Sequence, residues 1–336
     1  MSRPARTTTL RGAAQPLPRM GLGLAALGRP GYITLGHRDE FAAGRSVAAM
    51  ETQSHAVLDA AWRLGIRYFD AARSYGKAEQ FLGSWLSTRE IDPDAVVVAS
   101  KWGYRYVAQW QVDADQHEVK EHSLAMLRQQ WQESHALLGD QLDLYQIHSA
   151  TFESGVLANG AVLDGLARLK SEQGVRLGLS LSGPDQAALL RVAMGIEREG
   201  GRLFDGVQAT WNLLEPSVGA ALAEAHAVGM TVIVKEALAN GRLTAGNDSP
   251  RFATQKARLQ RVADRLGTTL DGLALAAVLA QPWADVVLSG ATTDAQLVSN
   301  WAAFDVVWDD DAAATLAELA ESPPHYWAYR SALPWH

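Results

Sequence analysis

The chain has 336 residues, enough for one large domain or two small ones, and its 48% hydrophobic and 20% charged residues are typical of a globular protein. The formal net charge of −7 argues against a nucleic-acid partner, which usually requires a basic face. The absence of cysteine excludes disulfides, thiolate nucleophiles and cysteine metal sites, and it is compatible with a cytoplasmic location.

The first segment, residues 1–18, predicts a loose N-terminal arm. It carries arginines but no apolar core of the kind that a signal peptide contains. No apolar stretch of the sequence is long enough to span a bilayer, so a membrane partner is not expected. We expect residues 19–336 to form a single domain.

From residue 19 onward, short β-branched runs alternate with longer stretches of helical spacing. Strands are predicted at 19–27, 66–69, 95–101, 142–148, 174–180, 204–209, 231–236 and 285–290. Helices are predicted at 54–65, 122–139, 160–174 and 216–229, and two more at 251–267 and 269–281 precede the last strand. A helix at 310–321 and an aromatic tail at 325–336 follow that strand.

This alternation predicts an α/β fold of the (β/α)8 TIM-barrel type with extra C-terminal helices. Several predicted strands are apolar throughout, which indicates burial on both faces of a parallel sheet. Several predicted helices end in glycine, which is common just after a helix C-terminus. Eight strands with helices between most of them favour the barrel, and a doubly wound open sheet is the alternative.

Ionisable or hydrogen-bonding residues stand at the carboxyl ends of most predicted strands, which is where the active sites of such barrels lie. From the second strand onward they are Asp70, Lys101, His148, Ser180, Gln208 and, together on one strand, Lys235 and Glu236. Tyr75 follows five residues after Asp70. We therefore expect a group of functional side chains at one end of the barrel.

Four of these residues, Asp70, Tyr75, Lys101 and His148, suit proton transfer to a carbonyl oxygen. A tyrosine donates its proton better when its pKa lies nearer the working pH, and the Lys101 ammonium is expected to lower that pKa. Asp70 is expected to keep the ammonium charged, and His148 to hydrogen-bond the substrate oxygen. The set has no strong nucleophile and no metal-ligand cluster, so a nicotinamide is the expected source of a hydride.

Each of the four residues has an ordinary structural explanation when it is considered alone. A strand-terminal aspartate often caps a turn, and a single buried histidine is more often part of the core than of a site. The occurrence of all four around successive strand ends favours catalysis.

The sequence resembles the aldo-keto reductase superfamily in six segments that occur in the family's order between about Met20 and Trp301. The segments are YFDAARSYGKAEQFLG, VVVASKWG, DLYQIHSA, VRLGLSLSG, FDGVQATWNLLEP and VVLSGATTDAQLVSN. The resemblance implies a (β/α)8 barrel that binds NADP(H) or NAD(H) at the carboxyl ends of its strands. It also implies that Tyr75 is the general acid, that Lys101 and Asp70 tune it, and that His148 orients the carbonyl.

The same resemblance implies a cofactor site. Ser180 and Gln208 match positions that hold the nicotinamide carboxamide, and a second group matches the loop and helix start that hold the adenosine phosphates: Ser289, Gly290, Ala291, Thr292, Gln296 and Asn300. Gly23, Leu24, Asp70 and Lys235 complete the expected site. Gly21, Gly23 and Gly28 lack the G-x-G-x-x-G spacing of a dinucleotide fingerprint, so we interpret them as a first barrel loop near the cofactor.

Three departures from the family pattern bear on the cofactor. Leu181 follows Ser180 where asparagine is common, and Lys235 stands near the place of an aromatic residue that stacks on the nicotinamide. Basic residues that often grip the 2′-phosphate of NADP are missing near Gly290, Asp294 and Gln296. Losing a charge-assisted contact weakens discrimination in favour of NADP, so both NAD and NADP remain candidates.

The substrate is expected to be a small aldehyde, ketone or sugar, and the sequence leaves its identity open. Trp102 and Trp211 are the predicted substrate-binding residues, and Trp327 and Trp335 either line the same site or pack loops on the barrel. Lys235 and Glu236 form either an internal ion pair or part of the site. The alternative function is a cofactor-sensing binding subunit on the same barrel, as in the cytoplasmic subunits of potassium channels that share this family's fold.

Overall fold

The computed structural model describes residues 4–10, 15–35, 41 and 44–335. Parallel strands close into an eight-stranded barrel in which neighbours follow the order β6-β7-β8-β1-β2-β3-β4-β5. The strands are β1 (Met20–Gly23), β2 (Tyr68–Asp70), β3 (Val97–Trp102), β4 (Leu142–Ala150), β5 (Arg176–Leu181), β6 (Gly206–Thr210), β7 (Thr231–Lys235) and β8 (Val286–Ser289). The predicted (β/α)8 barrel is confirmed, and the open-sheet alternative is wrong.

Eleven α-helices accompany these strands in the described part of the chain. They are α1 (Val47–Leu64), α2 (Ala78–Thr88), α3 (Leu124–Leu138), α4 (Gly160–Gln173), α5 (Gln186–Met194), α6 (Gly219–Ala227), α7 (Ala253–Leu266), α8 (Leu270–Leu279), α9 (Asp294–Trp301), α10 (Asp310–Ala317) and α11 (Pro323–Ser331). None of the helices in the described ranges is both long and apolar enough to cross a membrane.

Helix ends follow local capping chemistry. The Ser46 hydroxyl accepts a hydrogen bond from the backbone N–H of Ala49 at the start of α1, and Gly65 ends that helix at a φ of 93°. Thr293 caps α9 in the same way by accepting from the backbone N–H of Gln296. The start of α9 is thereby fixed directly after β8, at the carboxyl end of the barrel.

The apolar core has two layers around the barrel wall. Inside the barrel, a small cluster includes Tyr68, Val97, Leu144, Ile233 and Val286. Outside it, a larger cluster joins the strands to the surrounding helices. This double burial is the reason that the strands read as continuous apolar runs rather than alternating ones.

The N-terminal arm differs from the loose segment that we expected. Thr7–Thr8 pairs antiparallel with Leu17–Pro18, and the side chains of Leu10 and Leu17 belong to the cluster inside the barrel. Burial of these two leucines attaches the arm to the barrel.

The predicted aromatic tail also differs, because most of it is the helix α11. Pro323 and Pro324 occupy its first turn, a position where proline costs no intrahelical hydrogen bond. Tyr326 and Trp327 on α11 are buried against α7, α8 and α10 in a separate apolar cluster. This packing places α11 over the end of β7.

Candidate active site

A cleft of about 1220 Å³ lies at the carboxyl ends of the barrel strands. It extends from Tyr75 and His148 across β7 to the loop between β8 and α9. A volume of roughly 300–1000 Å³ is usual for a small-molecule site, so this cleft has room for a large ligand and a small one together.

Asp70 and Lys101 form a buried ion pair at the base of the cleft. The Lys101 side chain is 0% exposed, and its Nζ bonds Oδ2 of Asp70 and donates to the carbonyl oxygen of Ala71 at 3.0 Å. The other carboxylate oxygen of Asp70 accepts from Nε2 of Gln208 at 2.9 Å and of Gln146 at 3.4 Å. Burial lowers the pKa of Lys101, and the Asp70 charge opposes that effect.

Tyr75 stands above this pair, with its hydroxyl 3.4 Å from Nζ of Lys101. Burial is the main cause that raises the pKa of Tyr75 well above its usual value, and the Asp70 carboxylate raises it further. We expected the Lys101 ammonium to lower this pKa, but the net shift is upward, because burial desolvates the phenol and the Asp70 carboxylate opposes its ionisation. The tyrosine is therefore a neutral phenol, which is a proton donor.

His148 faces Tyr75 edge to face, with 5.3 Å between the ring centroids. Its Nδ1 lies 3.3 Å from the hydroxyl oxygen of Ser74. Burial lowers the pKa of His148 well below its usual value, and the Lys101 charge adds to the effect. His148 is therefore a neutral imidazole beside a neutral phenol.

Lys235 and Glu236 both line the cleft, at the end of β7. Their charged atoms are 3.9 Å apart, but the stronger partner of Glu236 is Arg330 of α11, whose Nε donates to Oε1 at 2.9 Å. Despite its burial, Glu236 has a pKa lowered to about 2, chiefly by Arg330 and Lys235. Burial lowers the pKa of Lys235 to about 8, and its Nζ donates to the Thr210 hydroxyl at 2.9 Å.

Most predicted cofactor residues reach the cleft. Those that line it are Gly23, Asp70, Gln208, Lys235, Ser289, Gly290, Ala291, Gln296 and Asn300. Three others are buried and do not line it: Leu24, Ser180 and Thr292. The Ser180 hydroxyl accepts from the backbone N–H of Ser149 at 2.8 Å, so that oxygen supports the carboxyl end of β4.

The predicted substrate residues Trp102 and Trp211 do not line the cleft in the described structure. Side chains alternate across a strand, so Trp102 points outward from the barrel where Lys101 points inward. Trp102 packs against His122, and Trp211 packs against Trp283. The tail tryptophans Trp327 and Trp335 line the cleft instead.

Several charged and aromatic residues of the cleft were not predicted from sequence. They are Arg29, Tyr32, Tyr104, Glu118, Asp271 and Arg330. All except Arg330 come from a helix start or from segments between barrel strands, which include the antiparallel pair Tyr104–Tyr106 and Glu118–Lys120. No local spacing pattern distinguishes them from ordinary surface residues. Among the described residues, no group of three or more His, Asp or Glu side chains could hold a metal ion.

The barrel agrees with the comparisons with known proteins. The model of the aldo/keto reductase family matches residues 19–321. The chain belongs to the aldo/keto reductase family.

Relatives of this aldo/keto reductase cover most of its length. It is 25% identical over 331 residues to aldo-keto reductase str7 of Strobilurus tenacellus, with 91% of this chain and 93% of the relative covered. It is 26% identical over 310 residues to a D-threo-aldose 1-dehydrogenase of a Pseudomonas species, with 82% and 89% covered.

A solved structure supports the same fold. The holo form of aldo-keto reductase AKR11C1 from Bacillus halodurans superposes with a TM-score of 0.70 at 19% identity, over 94% of this chain and 97% of that one. Family membership makes this protein an oxidoreductase that interconverts the carbonyl and alcohol groups of small molecules.

Proposed function

We propose that this aldo/keto reductase uses Tyr75 as general acid and base in the reduction of a small aldehyde, ketone or sugar carbonyl by a nicotinamide cofactor. The observation that carries the proposal is the 3.4 Å contact between the Tyr75 hydroxyl and the buried Lys101–Asp70 pair, at the base of the cleft. The alternative of a cofactor-sensing binding subunit would not need this proton-transfer set.

The four residues divide the work by their protonation states. Tyr75, with its raised pKa, holds the proton that a carbonyl oxygen takes during reduction. The Lys101 ammonium lies 3.4 Å from the Tyr75 hydroxyl and stabilises the phenolate that develops there. Neutral His148 offers a hydrogen bond to the same carbonyl oxygen, and Asp70 holds the ammonium in place.

The far side of the cleft fits a dinucleotide. A β-carbon at Gly290 would meet nothing within 4 Å, and one at Gly23 would only approach the carbonyl oxygen of Ser289 at 3.6 Å, so the wall there is smooth backbone. The N-terminal turn of α9 adjoins this wall and suits a phosphate. A bound nicotinamide would supply the hydride that the side chains cannot.

The decisive test is the Tyr75→Phe variant. Removing the hydroxyl should lower kcat by roughly 10²–10⁴-fold, because the proton donor is lost, while dissociation constants for the reduced cofactor stay unchanged. Cofactor binding is measured by fluorescence titration and turnover with a panel of aldehydes, ketones and aldoses.

Tyr104→Phe is the matched control, because Tyr104 also lines the cleft and its ring lies 4.9 Å from the His148 ring. Full activity in Tyr75→Phe, or an equal loss in Tyr104→Phe, would contradict the assigned role.

We further propose that the cofactor is NAD(H) rather than NADP(H). Among the described residues that line the cleft on α8, on α9 and in the loop after β8, the charged side chain is Asp271. Asp294, which the sequence pointed to, is largely exposed and faces Arg63. A 2′-phosphate carries about −1.5 to −2 charges, so the Asp271 carboxylate repels it.

Fluorescence titration with NADH and NADPH measures this preference. We expect NADH to bind at least about tenfold more tightly, and Asp271→Asn to reduce the difference by improving NADPH binding. Asp248→Asn, an exposed carboxylate paired with Lys256, is the control and should leave the ratio unchanged. Equal or tighter binding of NADPH by the unmodified protein would refute the preference.

A further inference from the structure

Arg29, in the segment that follows β1, is a buried cation beside the proposed catalytic tyrosine. Its side chain is 3% exposed, and its Cζ lies 5.2 Å from the centroid of the Tyr75 ring. The guanidinium also packs over the rings of Tyr32 at 5.3 Å and Trp335 at 4.7 Å. Three aromatic rings from distant parts of the chain thus surround one arginine.

The hydrogen bonds of Arg29 connect it to the residue that precedes Tyr75. Its Nη1 donates to the carbonyl oxygen of Ser74 at 3.1 Å, and the Ser74 hydroxyl lies 3.3 Å from Nδ1 of His148. The backbone N–H of Lys77 donates to the carbonyl oxygen of Gly28 at 2.7 Å. These contacts fasten the Ser74–Tyr75 segment to the segment after β1 on both sides of Tyr75.

The charge of Arg29 is only partly balanced. Nη1 donates to Oε2 of Glu118 at 2.7 Å, but the Glu118 side chain is 23% exposed whereas Arg29 is buried. The Nε donor of Arg29 has no hydrogen-bond partner among the described residues. Water screens the carboxylate more than the guanidinium, so positive charge predominates on the Tyr75 side.

We propose that Arg29 is a positioning residue for Tyr75, which fixes the Ser74–Tyr75 segment and places a second positive charge beside the phenol. The inference rests on the proposed role of Tyr75 as general acid and base. Arg29 lowers the pKa of Tyr75, whereas Glu118 raises it. The charged and titratable groups near Tyr75 are Arg29, Tyr32, Asp70, Lys101, Glu118, His148 and Glu236.

Two variants should move the pH dependence in opposite directions. Arg29→Met removes the positive charge, so the limb of the kcat profile that Tyr75 controls should move to higher pH. This limb falls with pH in reduction and rises with pH in alcohol oxidation. Glu118→Gln removes the negative charge and should move the same limb to lower pH. Loss of packing or of the ion pair alone predicts shifts of the same sign in both variants, or none.

Arg29→Lys separates charge from geometry. Lysine keeps the positive charge but lacks the planar fork that reaches Ser74 and Glu118 together. We expect its pH profile to stay near that of the unmodified protein, while kcat falls on the order of tenfold from the loss of the charged hydrogen bond and KM changes little. Cofactor affinity, measured by fluorescence, should be unchanged in all three variants.

A second readout is independent of turnover. The tyrosinate absorbance of each variant is titrated against the same variant carrying Tyr75→Phe, and the difference reports Tyr75 alone. Opposite displacements in Arg29→Met and Glu118→Gln support the inference, and parallel displacements or none overturn it. Glu118 is partly exposed, so Glu118→Gln tests the sign even where Arg29→Met does not fold. A protein that reduces no carbonyl but shows these displacements would refute the proposed function and retain the inference.

Discussion

At the scale of single residues, the site combines buried charges with neutral reacting groups. Asp70 and Lys101 are an ion pair with side chains 3% and 0% exposed. Removing one partner of such a pair leaves an uncompensated buried charge and costs about 3–5 kcal/mol. Substitutions of Asp70 or Lys101 therefore mix folding with catalysis, whereas Tyr75→Phe removes no charge.

Gly28 is a second residue on which Tyr75 depends. A β-carbon at Gly28 would overlap the carbonyl oxygen of Tyr75 and the side chain of Ala78, and would lie 2.7 Å from the Ala78 backbone nitrogen. We expect Gly28→Ala to lower the free energy of unfolding by roughly 1–3 kcal/mol, as overpacking does, and to lower kcat by displacing Tyr75. Chemical denaturation and steady-state kinetics measure the two effects.

Gly160→Ala is the control for that experiment, because its β-carbon would meet nothing within 4 Å and alanine favours the first turn of α4. Unchanged kcat in Gly28→Ala would show that the segment after β1, at Gly28, does not press closely on the segment after β2, at Tyr75.

At the scale of elements, the turn after β7 depends on α11. Glu236, Ala239 and Asn240 all have positive φ values, of 57°, 48° and 54°, which are unfavourable for residues with a side chain. The turn is held by hydrogen bonds from Asn212 to the Glu236 carbonyl oxygen and from Asn240 to that of Ile33. Arg330 on α11 adds the bond to the Glu236 carboxylate.

We expect Arg330→Met to lower the free energy of unfolding by about 3 kcal/mol at neutral pH, because it leaves Glu236 buried without its main partner. The pKa of Glu236 is lowered from 4.5 to about 2 in the folded protein. Its contribution to stability is therefore full above pH 4.5 and disappears as the pH falls through 2. Urea denaturation at neutral pH and between pH 4.5 and 2 measures the free energy of unfolding of the unmodified protein and of Arg330→Met. The difference between the two should become smaller in acid.

Arg198→Met is the matched control, because its ion pair with Asp164 is much more exposed, at 31% and 58%. Such a pair contributes about 1 kcal/mol or less. An equal cost in both variants would indicate that Arg330 does not anchor the turn after β7.

At the scale of the whole molecule, the carboxyl end of the barrel holds the cleft, whereas contacts at the amino end stabilise the fold. Arg19 precedes β1 at the end opposite the cleft and is 7% exposed. Its guanidinium donates to the carbonyl oxygens of Leu279, Gln281 and Ala284, at 2.9, 2.8 and 2.6 Å. Arg19 thereby ties the first strand to the end of α8 and to the approach to β8, where the barrel closes.

Arg19→Met should lower the free energy of unfolding by roughly 3 kcal/mol, because several buried carbonyl groups lose a charged donor. The melting temperature should fall accordingly. Below the transition, kcat/KM should stay unchanged, since active sites of these barrels lie at the other end. Calorimetry and kinetics on the same preparation test the separation. A loss of kcat/KM in the folded protein would show that the two ends are coupled.

Much of this architecture follows from local pattern. The β-branched runs of the strands and the 3.6-residue periodicity of apolar residues in the helices both depend on residues close in sequence. The alternation of strands and helices, and from it the barrel, could therefore be predicted. Asp70, Lys101 and His148 are predicted from the same local pattern, because each lies within the last three residues of a strand. The same pattern wrongly suggested that Trp102 lines the cleft beside Lys101, although adjacent strand residues point to opposite faces.

The composition of the cleft was set by packing between distant segments. Arg29 meets Glu118 across 89 residues, and Arg330 meets Glu236 across 94. No sequence periodicity marks the residues of such contacts, because whether two residues meet depends on where the rest of the fold places their two segments. Burial also depends on long-range packing, and it sets the protonation of Tyr75, because desolvation raises the pKa of this residue more than the nearby Arg29 charge lowers it. Local periodicity thus specified the barrel and its strand ends, while long-range packing fixed the charges, the walls and the proton affinity of the site.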